Sequence, residues 1–309
     1  MRAASEFVVR SYLDACDQEG ALPGWGQRYT QLGSGRFRGS VTWVDFGSVT
    51  VSEERINVMT AQASAPPADK MVLVVPASPK PRGRINGESH SGIGVLQVGG
   101  SEVNVVTDEN TRSLIVTIDR KALGDLDISR LGPLAPVHAS EGGDLQSWLS
   151  SILATSPDAT RQAPGEMEKV LPGLVIDRFK EICGTILSQK SPVQIRQSYA
   201  YSIFLRAQRL IDADFDGILT VANVCQELDV PEHVLRVAFV QSTGVTPRLW
   251  LRQRRLNRAR RALLEPSERE KSVTRVAMEN GFFHIGRFAA YYAEIFQETP
   301  LETIRASLM

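Results

Sequence analysis

The residues with the most distinctive chemistry are seven arginines that fall within fourteen positions of the chain. They are Arg248, Arg252, Arg254, Arg255, Arg258, Arg260 and Arg261. A guanidinium group is planar and permanently charged, and it matches the geometry of phosphate and carboxylate oxygens. No acidic residue occurs from His233 through Leu264, so the segment lacks local counter-charges. We therefore expect several of these arginines to bind the phosphate groups of a polyanion.

Two other interpretations of the arginine cluster stay open. A run of charge is often only a solvated helix face, and some of the arginines have Glu265, Glu268 or Glu270 within reach along the chain. Apolar residues interleave with the arginines: Trp250, Leu251, Leu256, Ala259, Leu263 and Leu264. This mixture predicts a connector helix over about residues 247–265, with one buried face and one basic face.

The predicted connector helix lies between two copies of one sequence pattern. Thr220 precedes the first copy and Ser272 the second, and each copy ends in Thr-Pro, at Pro247 and Pro300. The copies are offset by 52 residues in their first part and by 53 after an internal break. The apolar positions of the first copy are Val221, Val224, Cys225, Leu228, Leu235 and Phe239, and those of the second are Val273, Val276, Ala277, Phe288 and Tyr292.

Each copy predicts two short helices that cross. Thr220 and Ser272 occupy N-cap positions, the apolar residues recur with helical spacing, and Pro231 and Gly281 interrupt the two runs. A tight turn between short helices lets the second helix project into a DNA major groove. We therefore predict helix-turn-helix units at about 219–243 and 272–297. An ordinary helical hairpin is the alternative for a single copy, and the duplication favours DNA binding.

The base-reading residues follow from the buried face of each second helix. Leu235 and Phe239 would be buried in the first unit, so the residues facing the groove are Glu232, His233, Arg236, Val237, Val240 and Gln241. The second unit offers His284, Ile285, Gly286, Arg287 and Ala290. Arg236 and Arg287 are suited to bidentate contacts with guanine, although either could contact phosphate instead. For the connector, we assign DNA phosphate contacts to Arg248, Arg252, Arg254, Arg255 and Arg258.

These motifs resemble the C-terminal domain of the AraC/XylS family of bacterial transcription activators over about residues 196–309. The resemblance is carried by Leu219–Ala222 with Leu235 and Phe239, by the connector Arg255–Leu264, and by Gly281-Phe282 followed by 284–288. It implies an all-α domain of seven helices whose two helix-turn-helix units read successive major grooves of double-stranded operator DNA. It also implies activation through recruitment of RNA polymerase.

Two positions depart from the family pattern. Asp229 stands at the first turn, where many relatives have glycine or another small residue, and Gln297 stands where the family often has glycine before Glu298-Thr299-Pro300. Aspartate tolerates turn conformations better than most residues. We expect both turns to be retained.

The N-terminal part, about residues 1–140, has the glycine-punctuated alternation of an antiparallel sheet. Fourteen of the 24 glycines precede residue 131. Hairpins are predicted around Gly47-Ser48 and Gly99-Gly100, a turn at Asn86-Gly87, and further strands at Met71–Val75 and Leu114–Ile118. The fold class is therefore α+β, with a β sandwich or barrel preceding the helical domain.

Residues 31–48 give this N-terminal part a resemblance to the cupin-like sensor region of many relatives, which implies a small-molecule effector. Its effector-binding residues stay unknown, and a domain that only dimerises is the alternative. The segment Lys80–Arg84 could attract an anionic effector, although a solvated turn is the commoner outcome for such a sequence.

Residues 141–192 predict a helical connector region, with amphipathic helices at about 144–155 and 173–189. Their apolar faces would either pair with a second copy in a homodimer or pack on their own sandwich. Ser191-Pro192 marks the boundary before the DNA-binding domain, 193–309. That domain holds 16 Lys and Arg against 13 Asp and Glu, and the remainder 19 against 22, so the basic character is segregated although the net charge is zero.

Other function classes lack their sequence signatures. Three distant cysteines and four histidines give no disulfide or metal-ligand spacing, and no nucleotide-binding or hydrolase motif has a convincing context. We therefore predict no catalytic residues, no metal and no cofactor; the alternative is an enzyme barrel fused to a DNA-binding domain. The start of the chain lacks a leader pattern, and the aliphatic run near Met71–Val75 is too short to span a bilayer. The expectation is a cytoplasmic protein without a membrane partner.

Overall fold

The computed structural model describes residues 6–78, 82–92, 94–137, 145–162, 167–188, 198–214, 218–265 and 272–307. An antiparallel β domain comes first, two helices cover one of its sheets, and a helical domain follows. The predicted α+β class is confirmed. Within the described ranges, no helix has the length and apolar character needed to cross a membrane.

Two sheets form the N-terminal domain, and every strand pair in them is antiparallel. The strands are β1 (Glu6–Tyr12), β2 (Gly26–Gln31), β3 (Gly39–Asp45), β4 (Val49–Ile56), β5 (Thr60–Ala65), β6 (Lys70–Pro76), β7 (Arg82–Ile85), β8 (Glu88–Ser91), β9 (Gly94–Val98), β10 (Val103–Thr107), β11 (Thr111–Asp119) and β12 (Leu134–Val137). The larger sheet has the order β1-β3-β4-β11-β6-β9-β12, and the smaller sheet has the order β2-β5-β10-β7-β8. Helix α1 spans Ala15–Gln18, and short 3-10 turns lie at Arg120–Leu123 and Ile128–Arg130.

Two of the three predicted turns are confirmed. Gly47, with a φ of 84°, lies in the turn that joins β3 to β4, which pair through Asp45 and Thr50. Asn86 and Gly87 connect β7 to β8 with φ values of 49° and 82°. Positive φ at both central residues is what a two-residue hairpin turn of type I′ requires.

The predicted hairpin at Gly99-Gly100 is wrong. Strand β9 belongs to the larger sheet and β10 to the smaller one, so the two glycines carry the chain between the sheets. A Cβ on Gly99 would lie 2.0 Å from the Pro67 carbonyl oxygen, and the Gly100 N–H donates to the Pro66 carbonyl. Apolar residues alternate in the same way in two strands that pair within one sheet and in two strands that lie in opposite sheets of a sandwich. The sequence pattern therefore could not distinguish a hairpin from a crossing between sheets.

Helices α2 (Leu145–Gln162) and α3 (Met167–Ser188) pack on the larger sheet. Alternation along β11 separates its two faces: Leu114, Val116 and Ile118 contact the helices, while Ile115 faces the smaller sheet. The helices contribute Leu149, Ile152, Val175, Phe179 and Ile182 to this shared core. Of the two interpretations left open for their apolar faces, the structure shows packing on the chain's own sandwich.

Between residues 198 and 307, the described residues form seven helices, as the family resemblance implies. These are α4 (Tyr199–Asp212), α5 (Val221–Leu228), α6 (Glu232–Thr243), α7 (Pro247–Leu264), α8 (Val273–Glu279), α9 (Ile285–Phe296) and α10 (Pro300–Ser307). The first helix-turn-helix unit is α5–α6 and the second is α8–α9. Helix α7 joins them and contributes Trp250 and Leu251 to the first core, and Leu256, Ala259 and Leu263 to the second.

Local interactions fix the start and end of these helices. The Thr220 hydroxyl accepts from the Asn223 N–H, and the Asn223 side chain accepts in return from the Thr220 N–H, which makes a capping box. Ser272 caps α8 through the Arg275 N–H. Asp229 and Gln297 end α5 and α9 in the left-handed conformation, with φ of 52° and 54°. Both departures from the family pattern therefore retain the turn, as predicted.

Candidate nucleic-acid interface

Helix α6 presents the predicted first reading surface to solvent. Its inward face holds Leu235, Ala238 and Phe239, each fully buried. The outward positions are all exposed: Glu232, His233, Arg236, Val237, Val240 and Gln241. Among the described residues, the Arg236 side chain makes no hydrogen bond or ion pair. The helical period thus separates the core residues from the predicted reading residues.

On α9, four of the five positions predicted to read bases are exposed to solvent. His284, Gly286, Arg287 and Ala290 are exposed, whereas Ile285 is half-buried against the core around Phe288. Ile285 therefore positions the helix and is less available to a partner. In the described part of the chain, Arg287 forms no hydrogen bond or ion pair.

Phe283 is a surface residue that the sequence reasoning missed. Its side chain is 67% exposed, while the preceding Phe282 packs against Phe288 at a ring-centroid distance of 5.1 Å. The available signal was the Phe-Phe pair itself, because two adjacent side chains at the start of a helix cannot both enter one core.

A groove of about 920 Å³ separates the two units. It runs from the start of α5 across the first turns of α7 to Gly281 and Phe282 at the turn of the second unit. Arg236, Arg248 and Arg252 line it together. The Arg252 guanidinium lies over the Tyr291 ring, 4.3 Å from its centroid, which holds that cation in place. The groove is therefore lined by basic side chains and bordered by residues of α6 on the first unit and of α9 and its preceding turn on the second.

The other three predicted phosphate ligands donate within the chain in this conformation. Arg254 pairs with Asp212 and also donates to the Thr30 hydroxyl at 2.8 Å. Arg255 donates to the Leu219 carbonyl at 2.5 Å. Arg258 donates to the Asn280 side chain at 2.7 Å and to the Asp214 carbonyl at 2.5 Å.

The acidic partners of the arginines differ from those considered in the sequence. Glu268 and Glu270 lie outside the described residues, and the ion pairs of the cluster use Asp14, Glu19, Asp212, Asp214 and Glu298. These acids come from three other parts of the chain, so spacing within the arginine segment carried no information about them.

Arg260 is buried between the two domains. It pairs with Asp14 of the N-terminal domain and with Glu298 at 2.7 Å, and it donates to the Tyr292 hydroxyl at 3.2 Å. Burial alone would lower the pKa of Arg260, but Tyr292, Asp14 and Glu298 offset it, so the pKa lies above its usual value. This guanidinium ties α7 to the N-terminal domain and to the end of the second unit.

The N-terminal domain also holds α7 through the backbone of its smaller sheet. The Asn257 amide donates to the Gln31 carbonyl at 3.0 Å and accepts from the Gln31 N–H at 2.9 Å. Asn257 thereby occupies the free edge of β2 as another strand would. The Gln31 side chain and the Gly35 N–H donate to the Ile295 carbonyl of α9, at 3.1 and 2.8 Å.

A second set of contacts joins the N-terminal domain to α4 and to the first unit. The Tyr201 hydroxyl donates to the Asn86 side chain at 2.9 Å, and Arg84 donates to the Gln241 carbonyl at 3.0 Å. Leu32, Ala61 and Val106 of the sandwich share one apolar cluster with the first unit. The sandwich therefore contacts the connector and both helix-turn-helix units.

Inside the sandwich, a cavity of about 130 Å³ lies between the two sheets. Its wall is mostly apolar, with Trp25, Val95, Val105, Ile115 and Leu134, and polar groups come from Gln27, Glu54, Gln62, His90 and Gln97. Burial raises the pKa of Glu54, whose carboxyl accepts from the Tyr29 hydroxyl at 2.5 Å and from Gln18 at 3.0 Å.

The basic segment that was expected to be a solvated turn borders this cavity. Lys80 and Pro81 lie outside the described residues. Arg82–Ile85 forms strand β7, and Arg82 and Arg84 are among the residues that line the cavity. The expectation of a turn is therefore wrong for residues 82–84, which pair with β8 and β10.

Comparison with known proteins finds sequence similarity to bacterial operon regulators. A family model described as a helix-turn-helix domain matches residues 224–306. The "Probable thc operon regulatory protein" of Rhodococcus erythropolis is 30% identical over 213 residues, which cover 63% of this chain and 61% of that protein. A solved structure, the AraC-like transcriptional activator CuxR, is 17% identical with a TM-score of 0.42, and the alignment covers 81% of this chain and 94% of that one.

A second group of relatives comes from Pseudomonas putida. The chain spans 47% of the length of the "XylDLEGF operon transcriptional activator", at 25% identity over 51% of this chain. It spans 85% of the "XylDLEGF operon transcriptional activator 2", at 31% identity over 134 residues, which are 42% of this chain. The chain thus matches this last relative over most of that relative's length. The match agrees with the duplicated helix-turn-helix motif and with the helix that joins its two copies. We conclude that the chain belongs to the AraC/XylS family of transcriptional regulators.

Proposed function

We propose that this chain is a sequence-specific DNA-binding regulator of transcription. The observation that carries the proposal is the placement of two exposed reading helices on either side of one basic groove. Arg236 and Arg287, one on each helix, are exposed and have no polar partner among the described residues. Donors held ready on projecting helices suit contacts with base edges in a major groove.

We propose that base contacts and phosphate contacts are made by different helices. Exposed residues of α6 and α9 read bases, with Arg236 and Arg287 contacting guanine. Arg248 and Arg252 contact the phosphates that pass over the groove between the units. Arg254, Arg255 and Arg258 already hold the fold together through Asp212, Leu219 and Asn280, so we assign them this structural role in place of phosphate binding.

We propose activation as the direction of regulation, because the P. putida relatives are named as operon activators. Recruitment of RNA polymerase on operator DNA in the cytoplasm, with the protein acting as a homodimer, completes the proposal. Most apolar residues of α2 and α3 pack within the chain, but Val170 and Leu174 of α3 are 58% and 49% exposed, and we propose this exposed side of α3 as the surface that meets a second copy. We propose no catalytic activity and no resident cofactor.

The DNA-binding proposal is tested by selection from a random-sequence pool of duplexes with the full-length protein. We expect enrichment of one sequence, and affinity for it should fall as salt rises, because each neutralised phosphate releases counterions. Failure to enrich any sequence, even at low ionic strength, would falsify the proposal.

We further propose that the sandwich cavity binds a small-molecule effector. The cavity supports this because it combines an apolar wall with a few polar groups, which is the usual composition of a ligand site. A thermal-shift screen of metabolites checks it: a true effector raises Tm in proportion to the logarithm of its concentration once above its Kd, by the equivalent of about 2.7 kcal/mol at a hundred times that Kd. A sandwich that serves only for dimerisation would show no such metabolite.

A further inference from the structure

Gly286 occupies the first turn of α9 although nothing in the fold requires a glycine there. Its φ is not positive, and a Cβ built on it would have no neighbouring atom within 4 Å. A glycine inside an exposed helix destabilises that helix by about 0.5–1 kcal/mol relative to alanine. The residue thus lowers stability, and no contact inside the chain compensates for the loss.

Phe283, just before the same helix, is the second unusual residue. It is 67% exposed, whereas its neighbour Phe282 packs against the core of the second unit. Phe283 lies two residues before α9 and precedes its extended N-cap His284, and it is exposed like Gly286, Arg287 and Ala290 of the helix itself. The exposed strip at the start of α9 therefore holds one large apolar side chain, Phe283, one position without a side chain, Gly286, and two side chains with polar groups, His284 and Arg287.

This strip has few groups that can form hydrogen bonds with bases. Arg287 is the single Lys or Arg of α9, and the next outward residues are Ala290 and the acidic Glu294. Apolar contact with the C5-methyl group of thymine is the other way in which a side chain distinguishes bases in the major groove. A position without a side chain allows the helix backbone to approach the duplex closely.

We infer that Phe283 contacts the methyl group of a thymine and that Gly286 lets the first turn of α9 approach the base edges more closely than any side chain would permit. The inference rests on the proposed DNA-binding function and names the base that the second unit recognises. Its partner is a thymine-containing segment of the major groove, adjacent to the base that Arg287 reads.

The thymine contact is tested on the duplex that the full-length protein selects from a random pool. Arg287→Ala identifies the half of the site that the second unit reads, and each thymine there is replaced in turn by deoxyuridine, which lacks only the methyl group. We expect one replacement to weaken binding by about fourfold, the effect of removing one buried methyl group. Phe283→Ala should bind more weakly and become insensitive to that replacement.

Leu13→Ala is the matched control, because Leu13 is 77% exposed but lies in the N-terminal domain. It should retain both the affinity and the response to deoxyuridine. If Phe283→Ala responds to deoxyuridine as the wild type does, or if no replacement matters, the thymine contact is overturned. Loss of transcription activation at unchanged DNA affinity would instead assign Phe283 to a protein partner, and it would overturn the inference equally.

The role of Gly286 is tested by Gly286→Ala, with Gly184→Ala as the control. Both glycines are exposed and lie inside helices, and a Cβ placed on either would have no atom within 4 Å. Both substitutions should raise Tm. Only Gly286→Ala should weaken DNA binding, by about tenfold, because a methyl group then enters a closely packed contact.

The outcomes separate this inference from the function on which it rests. A wild-type protein that selects no duplex contradicts the DNA-binding proposal itself. A wild-type protein that binds its duplex, together with a Gly286→Ala variant of higher Tm and full affinity, contradicts only the role of Gly286.

Discussion

The two helix-turn-helix units have matching interiors and contrasting outer surfaces. Phe239 of the first unit and Tyr292 of the second occupy corresponding buried positions, 53 residues apart. Outside, the first reading helix presents four side chains with polar groups, namely Glu232, His233, Arg236 and Gln241. The second presents His284 and Arg287 beside Gly286 and Ala290. Packing thus constrains the inner face of each unit, while the outer face varies with its partner.

The units also differ in how they attach to the sandwich. The core of the first unit is continuous with Leu32, Ala61 and Val106 of the N-terminal domain. The core of the second unit consists of residues from 256 onward, and its attachment is polar, through the Ile295 carbonyl and the Arg260 network. The first unit is therefore joined to the sandwich by apolar burial, and the second by a few directed bonds.

The largest expected effect comes from removing one buried aromatic ring from the second unit, which tests whether the two units unfold separately. Phe288→Ala should lower the free energy of unfolding of that unit by about 3–5 kcal/mol, because a fully buried ring leaves a cavity. Hydrogen exchange should rise in α8–α10 while α5 and α6 stay protected. In the matched variant Phe239→Ala, exchange should rise in the first unit and also in the adjoining strands. Equal loss of protection in both units would show that the two cores are one cooperative unit.

The next effect concerns the polar attachment. Asp14→Ala removes one charged partner from Arg260, which is 9% exposed, and should lower the free energy of unfolding by about 2–3 kcal/mol. Urea unfolding of the full chain measures the change. Arg261→Ala serves as the control, since its side chain is 44% exposed and an exposed pair contributes about 0–1 kcal/mol. Equal effects of the two substitutions would contradict the buried role of Arg260.

The two units should recognise different bases, but Arg236 and Arg287 should each contribute a similar free energy of discrimination. Arg236→Ala and Arg287→Ala should each remove discrimination of about 1–3 kcal/mol at one base pair. Arg248→Ala should instead weaken all sequences alike and lower the salt slope by about 1. Competition binding against single-base variants of the selected duplex measures all three. Unchanged base preference in both reading-helix variants would refute their assignment.

The smallest effect lies at the two left-handed helix ends. The left-handed conformation costs a residue with a side chain about 1–2 kcal/mol of conformational free energy. Aspartate has a smaller cost because its short polar side chain tolerates this conformation. Gln297→Gly should therefore stabilise the protein by about 1 kcal/mol, and Asp229→Gly by only a few tenths. Thermal unfolding of the two variants provides the measurement. A larger gain at Asp229 would contradict this explanation.

Much of the helical domain was predictable from the sequence because its information is local. Caps such as Thr220, the helical spacing of Leu235 and Phe239, and the Thr-Pro ends determine helices without reference to distant residues. The exposed residues of α6 followed directly from that spacing. Ile285 is half-buried in the cluster of Phe288, which lies three residues further along α9, and this spacing places both side chains on one helix face, so the helical period already indicated its partial burial.

The parts that were missed depend on residues far apart in the chain. Arg254 and Arg260 find Asp212, Asp14 and Glu298 only after the domains fold together. Strands β9 and β10 have the alternation of a hairpin, yet they belong to opposite sheets, and Gly99 passes close to the carbonyl of Pro67 where the chain crosses between them. Pairing of this kind is a property of the assembled fold and has no local signature.

The bond between Asn257 and the Gln31 backbone has a consequence for hybrid regulators. An engineer who grafts a foreign sensor onto residues 198–307 would leave the Asn257 amide and the Arg260 charge without their acceptors from the sandwich. The foreign sensor would therefore need an acidic residue that pairs with Arg260 as Asp14 does, and a free strand edge placed to bond with the Asn257 amide. Otherwise residues 257 and 260 would have to be substituted. The interface between the N-terminal domain and the helical domain is thus specific to these two domains. Exchanging one of them requires matching substitutions on both sides of the interface.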